Sequence, residues 1–369
     1  MTKIAIIGAG IVGASAAYFL KEKGYQEVVL FDKEEGQASK AAAGIICPWF
    51  SKRRHKAWYK MARLGADFYQ ELVEKLAKDG YETSFYQQTG VYLLKNKEKQ
   101  LEALYDLANE RRAISPLIGD LRLLSKEEVA SAFPGLQGFD NCLWASGAAH
   151  VDGKRLCQTL ISASGYPIYR KSVNLLPLEK GYQIDGDYFD VVILAAGAWL
   201  PQLLSPLGYE VDVRPQKGQL IDYQMEALQT DDYAVVMPEG ELDIIPFDKG
   251  KISVGASHEN DKGYDVTLDY AILNHLEKEA LHYFPSLKEA KEKRYRVGIR
   301  AYTSDYSPFY GMVPGLENLY AASGLGSSGL TTGPLIAHEM VALLTGGDQR
   351  LDANDYPITT YLIPADGKK

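Results

Sequence analysis

The sequence predicts an α/β chain in which a helix-covered parallel sheet is interleaved with an α+β region built on an antiparallel sheet. Three observations predict it. Residues 3–32 read as strand, glycine turn, helix and second strand, the order of a parallel βαβ unit. Two later stretches, 189–200 and 319–334, are again apolar β runs that end in glycine and other small residues. Between them, residues 84–94 and 234–257 alternate in polarity and are broken by glycine, as antiparallel meanders are.

The totals bound the rest. A chain of 369 residues with 46% apolar side chains buries a sizeable core and divides into two domains. Its 40 basic and 48 acidic side chains leave a net charge of −8. That charge opposes attraction to nucleic acid and anionic lipid and favours a small diffusible partner. Cys47, Cys142 and Cys157 have no metal-type spacing and cannot all pair with one another, which fits a reducing cytoplasm. The 6 histidines share no ligand spacing, so no metal is expected. Nothing in the sequence sets an oligomeric state.

The first element is IAIIGAGIVGASAAYFL, residues 4–20, which carries no charge. It is too short for a membrane-spanning helix, which needs about 20 apolar residues, and Gly8, Gly10 and Gly13 each weaken a helix. A secretory signal finds a loose cleavage site in ASAA at 14–17 but leaves the glycine spacing unexplained. A nucleotide-binding unit explains it. KIAII is a β-branched run suited to a buried parallel strand, and Gly8-Ala9-Gly10-Ile11-Val12-Gly13 is G-x-G-x-x-G at its end. Helical spacing then runs through Ile11, Ala14, Ala17 and Tyr18 until Gly24 stops it. A second strand, EVVLF, ends at Asp32, placed to accept hydrogen bonds from ribose hydroxyls. Gly8 allows the tight turn, Gly10 lets backbone approach a pyrophosphate, and Gly13 packs helix on strand. The helix N–H groups then aim at the anion. Together these make a Rossmann-like dinucleotide site.

That fingerprint holds the ADP half of a dinucleotide and leaves its far end open between NAD and FAD. Later segments bear on the choice. Residues 36–50, GQASKAAAGIICPWF, carry Ser39, Ala41, Ala42, Ala43 and Gly44, small enough for backbone to run against something flat or anionic. Alone they read as an ordinary surface loop. FDVVILAAGAWL (189–200) is a buried strand ending in Ala195, Ala196 and Gly197. RPQKGQL (214–220), ISVGASHE (252–259), RVGIRAYTSDYSPFYG (296–311) and LYAASGLGSSGLTTGP (319–334) follow. With these segments in this order from residue 3 to about 345, the chain resembles the D-amino-acid oxidase family of flavoproteins, in its branch of glycine oxidases and bacterial D-amino-acid dehydrogenases.

The resemblance implies FAD. It puts Ser39, Ala42, Ala43 and Gly44 along the pyrophosphate and flavin ring, Ala196 and Gly197 at a second close approach, and Ile11, Val12, Lys33 and Val173 among the cofactor contacts. Gly324, Gly326, Ser327, Ser328, Gly329, Leu330 and Thr331 then lie against the flavin's pyrimidine edge. There a strand gives way to a helix running from about Pro334 to Leu344, with proline in its first turn and the threonines before it as caps. The partial positive charge of that helix N-terminus suits the negative charge of a reduced ring. Some relatives bind flavin through cysteine. None of the cysteines here lies in the late glycine-rich segments, so the FAD is expected to be non-covalent.

The expected FAD-binding domain is discontinuous, 1–50, 143–210 and 302–369, and the substrate domain is 51–142 with 211–301. In 57–79, Trp58, Met61, Leu64, Phe68, Leu72 and Leu76 share a helical face that Gly80 ends. Residues 97–113 repeat the pattern, and SKEE at 125–128 is a capping box. The 234–257 meander turns at Gly240 and Gly250.

At the substrate end, the resemblance makes Arg300 the catalytic-site residue that binds the substrate carboxylate. A guanidinium fork matches a carboxylate bidentately and fixes where the neighbouring Cα–H points. The implied reaction passes that hydride to flavin N5 and gives an imine that hydrolyses to an oxo acid, without a strong general base. The chain departs from its relatives in one place. Where they often carry a tyrosine that helps hold the carboxylate, at the start of x-I-I-P, this chain has Asp243. Either Asp243 turns away, or it meets a substrate amine, or another tyrosine such as Tyr302 or Tyr306 takes over. SKRRHK (51–56) reads as a solvated basic face or as an aid to anionic substrates.

The leading expectation is oxidation of the C–N bond of a small amino acid: a D-amino acid, glycine or an N-substituted glycine. Two alternatives stand beside it. A tRNA-modifying FAD oxidoreductase shares this fold, and a non-catalytic dinucleotide-binding redox sensor would keep the glycines and Asp32 without needing Arg300.

Overall fold

The β-branched run that opens the chain forms the strand Ile4–Ile7 in the middle of a six-stranded sheet. The computed structural model describes residues 2–53 and 55–365. Across the sheet the order is Phe309–Met312, Leu319–Ser323, Val191–Leu194, Ile4–Ile7, Val28–Phe31 and Ile168–Tyr169. All neighbours are parallel except the Phe309–Met312 edge strand. Side chains alternate between two cores, as the period of a strand requires. Ile4 and Ile6 enter the core shared with the helices Ile11–Glu22, Gly153–Ser164 and Gly329–Thr345. Ala5 and Ile7 enter the opposite core, under the small antiparallel sheet of Leu175–Pro177, Tyr182–Ile184 and Asp187–Phe189. The chain is thus an α/β protein at this end.

The second large sheet has eight strands, in the order Glu292–Tyr302, Arg214–Gln224, Lys251–Gly255, Asp243–Pro246, Val235–Met237, Val91–Leu94, Asn141–Ala145 and Leu121–Ser125. It is antiparallel except where Val235–Met237 meets Val91–Leu94. The expected turns at Gly240 and Gly250 both sit at positive φ, where a Cβ is disfavoured. The long pair Arg214–Gln224 and Glu292–Tyr302 joins the two halves. Ile299 bridges to Gln37, and the Arg296 guanidinium donates to Ala42 O at 2.9 Å while pairing with Asp222 at 2.8 Å. The expected helices appear as Lys56–Lys78, Glu98–Arg111 and Lys126–Ala130, the last with both bonds of the Ser125–Glu128 capping box. No helix among the described residues is long and apolar enough to cross a membrane.

Two expectations change. The last helix begins at Gly329 rather than near Pro334, and it has no side-chain cap at Ser328. Thr331 and Thr332 are therefore inside it, not ahead of it, and Pro334 interrupts its hydrogen-bond ladder. The reason such a proline is tolerated is visible. Pro334 has no N–H for the carbonyl of Leu330, and the Tyr69 hydroxyl donates to that oxygen instead, at 2.5 Å. Tyr69 comes from Lys56–Lys78, which closes in on the same turn at Gly65, where a Cβ would fall 2.3 Å from Thr331 O. This contact also bears on the division of the chain at residue 50. Met61, Ala66, Phe68, Tyr69, Leu72 and Leu76 all join the core of the parallel sheet, although the helix that carries them follows that boundary.

Tyr69→Phe removes a donor to a buried carbonyl and is expected to lower unfolding free energy by about 1–3 kcal/mol. Denaturant unfolding of the two proteins side by side measures it; a variant as stable as the parent would show that Leu330 O needs no partner.

Candidate functional site

The glycine turn is built by backbone contact. Gly8 has φ +103, and a Cβ there would lie 2.3 Å from Ala195 O, so the turn presses directly on the end of the neighbouring strand. A Cβ at Gly13 would fall 1.8 Å from Gly8 O, which lets the helix Ile11–Glu22 start against the strand it follows. Gly10 is different, since its open side meets only Ser39 Oγ at 3.2 Å, and that hydroxyl accepts from Ile11 N at 2.9 Å. Asp32, buried, accepts from Ala9 N and Glu34 N at 2.5 Å each and from Gln37 Nε2 at 2.7 Å. It ties the turn to the end of the second strand before any ligand arrives.

From this turn a cavity of about 650 Å³ runs to the antiparallel sheet. At one end it is lined by Gly8, Gly10, Ile11, Val12, Asp32 and Lys33. Ser39, Ala42, Ala43 and Gly44 form one wall, with Val173, Ala196 and Gly197 near them. Gly326, Ser327, Ser328, Gly329, Leu330 and Thr331 form another. Asp243 and Arg300 lie at the far end. Two helices start on this cavity, Ile11–Glu22 and Gly329–Thr345, and neither has a side-chain cap at its N-terminus. Ile11 N–H is taken by Ser39 Oγ, so on the first helix it is the N–H groups of Val12 and Gly13, with those that open Gly329–Thr345, that have no side-chain partner among the described residues and can meet an electron-rich ligand.

Three expected residues lie off the cavity. Gly13 acts through helix packing. Gly324, at φ +76, makes the turn after Leu319–Ser323, where a Cβ would meet Ser307 O at 2.8 Å. Tyr302, expected at the substrate, does not line the cavity, and its ring packs against structure. It lies beneath Gly326, with the Arg214 guanidinium 5.6 Å from its centroid, and its hydroxyl accepts from Ser327 N at 3.1 Å. Tyr302 thus holds the glycine-rich turn in place, and it is also close enough to Arg300 to act on its charge.

Arg300 projects from Glu292–Tyr302 and lies over Gly218, where any Cβ would come within 2.7 Å of the guanidinium. Its Nη1 donates to Ser257 O at 2.8 Å and to Gln216 Oε1 at 3.1 Å. No carboxylate pairs with it among the described residues, in contrast to Arg296 on the same strand, which is paired with Asp222 and donates to Ala42 O and Ser253 Oγ. Burial pulls the Arg300 pKa down, and it remains a cation. Asp243 has no hydrogen-bond partner among the described residues, and burial pushes its carboxyl up to about 7.

The structure adds residues that sequence reading did not assign. His258 and Glu241 line the substrate end and pair at 3.0 Å, with burial and the nearby Arg300 holding His258 below its ordinary value. Arg53, from the basic cluster, lines the cavity with its guanidinium 4.6 Å from the Trp58 ring. Cys47 lines it too, and burial raises its thiol well above the ordinary range. The motifs that contain Gly218 and His258 were visible, but their roles depend on cross-strand neighbours.

Comparison with known proteins agrees with this layout. The profile of the family described as DAO, FAD dependent oxidoreductase, matches residues 3–343. The uncharacterised oxidoreductase YurR of Bacillus subtilis is 40% identical over 96% of this chain and 98% of its own. Glycine oxidase of Pseudomonas putida is 30% identical over 96% of this chain and 97% of its own. The crystal structure of iminodiacetate oxidase (IdaA) from Chelativorans sp. BNC1 superposes with a TM-score of 0.91 at 32% identity, covering 96% of this chain and 98% of that one. A cavity floored by a G-x-G-x-x-G turn and walled by small residues, found in a chain that matches over nearly its whole length, settles the family: this protein belongs to the DAO family of FAD-dependent oxidoreductases.

Proposed function

We propose that this chain oxidises the C–N bond of a small amino acid, either a D-amino acid, glycine or an N-substituted glycine, with Arg300 gripping the substrate carboxylate. The observation that carries the reading is a buried guanidinium with no carboxylate partner at the end of a nucleotide-sized cavity. The residues present fit FAD. Gly10 offers an open backbone face beside the start of one helix, and the Gly329–Thr345 helix offers a second N-terminus. In this reading Gly8, Gly10, Ile11, Val12, Asp32 and Lys33 hold the adenine nucleotide. Ser39, Ala42–Gly44, Val173, Ala196, Gly197 and the stretch from Gly326 to Thr331 hold the rest.

When bound, FAD supplies the acceptor for the two electrons and the hydrogen of the substrate Cα–H bond. The protein does the remainder. Arg300 presents a planar fork, braced by Ser257 O and Gln216, that fixes a carboxylate and hence the neighbouring carbon. Gly218 keeps that fork flat against the sheet. Ala41, Ala42 and Ala43 narrow the wall and exclude water, and the Gly329–Thr345 N-terminus faces the cavity with its positive end. The names of the relatives, glycine oxidase and iminodiacetate oxidase, support an amino acid or an N-substituted glycine as substrate. A redox sensor has no use for a carboxylate grip, so the unpaired Arg300 favours catalysis. We place the reaction in the cytoplasm, since Cys47, Cys142 and Cys157 are all free thiols. The FAD is held without a covalent bond in this reading, because the one cavity cysteine, Cys47, is kept as a protonated, weakly nucleophilic thiol.

Anaerobic mixing of the yellow holoenzyme with D-amino acids, glycine, sarcosine, D-proline and iminodiacetate is expected to bleach the flavin with at least one of them. A colourless purified protein, or a flavin that none of them reduces, would overturn the reading. Arg300→Leu should retain its flavin and lose about 10³-fold in kcat/KM, the scale of losing a desolvated charge pair; near-normal efficiency would remove Arg300 from the site. Denaturation in acid should leave the flavin in the supernatant, and flavin that travels with the unfolded chain on a denaturing gel would refute non-covalent attachment.

A further inference from the structure

Asp243 sits on the same face of the sheet as the Arg300 guanidinium. In the ladder, Asp243 is opposite Gly255, and Gly255 is opposite Leu220. Residues directly opposite one another share a face, and so do residues two apart on one strand, which adds Gly218 to the set. The Arg300 guanidinium lies on the Cβ side of Gly218. Gly218, Leu220, Asp243 and Arg300 all line the one cavity. The carboxyl is therefore about two strand spacings across from the guanidinium's seat and one pleat along, near 5 Å per strand and 7 Å per pleat, with both side chains reaching inward. Gly255 between them has no side chain to cover the gap. Neither group has an opposite charge bound to it among the described residues, although each is the other's complement. A cation and a carboxyl held apart in one cavity match a zwitterion.

We infer that Asp243 binds the ammonium group of the amino-acid substrate and accepts its proton, a role that rests on the proposed reaction and extends it. The substrate N–H bond breaks, the proton joins an Asp243 carboxylate oxygen, and the electron pair stays on nitrogen. That lone pair then forms the C=N bond as Cα–H leaves as hydride to the FAD the family uses, and Asp243 passes its proton to water. Atoms and charge balance without a further reactant. Such an assignment also accounts for an acid at a position that would repel a substrate carboxylate but attract a substrate ammonium. Burial holds the carboxyl near 7, in the range where one group both takes a proton and gives it up at neutral pH. The charged and titratable groups around it are Glu241 ahead of its own strand, His258 beyond Lys251–Gly255, Lys95 beyond Val91–Leu94, Cys47 and Arg53 from the opposite wall, and Arg300. Glu241 and His258 are paired with each other at 3.0 Å.

The test uses wild-type holoenzyme with Asp243→Asn, Asp243→Glu and His258→Gln, and glycine, sarcosine and D-alanine as substrates. Wild-type kcat/KM should climb with pH up to about 7, as Asp243 loses its proton, and His258→Gln should keep that limb. Asp243→Asn should lose the limb and fall about 100-fold at pH 8, while its dissociation constant for acetate, read from the flavin spectrum, stays equal or tightens. Asp243→Glu should restore part of the loss and part of the limb. An Asn variant with the wild-type level and the wild-type profile would overturn the inference, as would acetate binding that weakens in step with turnover. If the wild type oxidises none of the substrates, the proposed reaction falls and the inference with it; if the wild type is active and Asp243→Asn matches it, the inference falls alone.

Discussion

A buried guanidinium with no carboxylate beside it has to be held by neutral atoms, and everything at the substrate end of this protein follows from how Arg300 is held. Ser257 O and Gln216 brace one nitrogen, and the bare backbone of Gly218 gives the fork a flat seat. Gln216 and Gly218 lie on Arg214–Gln224, while Ser257 follows Lys251–Gly255, so the sheet has to be in register before the grip exists. The register in turn is fixed over the whole Arg214–Gln224 and Glu292–Tyr302 pair. An ion pair with a protein carboxylate would have been more stable and useless. Tyr302, Glu241 and Glu259 lie close enough to offset part of the desolvation without quenching the charge.

The other end of the cavity depends on backbone packing rather than charge. Gly8, Gly13 and Ala195 touch through main-chain atoms, so the first helix begins where the sheet ends and its N–H groups face the ligand. The helix Gly329–Thr345 reaches the cavity by a different route. Its early start carries Pro334 into its interior, and Tyr69 repairs the resulting gap from a neighbouring helix. The substrate side and the cofactor side are thus tied together through Lys56–Lys78, which shares the core of the parallel sheet.

Much of this could be read from the residues, and what could not has a common cause. The strands Ile4–Ile7 and Val28–Phe31, the stop at Gly24 and the Ser125 capping box are local, so short-range patterns reveal them. The start of the last helix was misread because proline normally opens a helix, and the donor that lets it sit inside comes from far away in the chain. Tyr302 is expected near the substrate from its closeness to Arg300 in sequence, and it does lie within reach of that charge while its ring stays off the cavity lining. In a strand, neighbours two apart share a face, but Tyr302 is at the strand's end, where its ring turns under Gly326. The pairing of Glu241 with His258, and the placing of Asp243 and Gly218 on one face, depend on cross-strand register, which no local pattern encodes.

The central claim is that Arg300 is an anion site at the end of an FAD cavity. A crystal structure of the holoenzyme with methoxyacetate, a carboxylate that lacks the amine, tests it most directly. The account predicts both carboxylate oxygens within about 3 Å of the Arg300 guanidinium, and the FAD diphosphate against Gly10 and Ile11. A carboxylate bound elsewhere in the cavity, or an Arg300 turned to pair with Glu241, would contradict it.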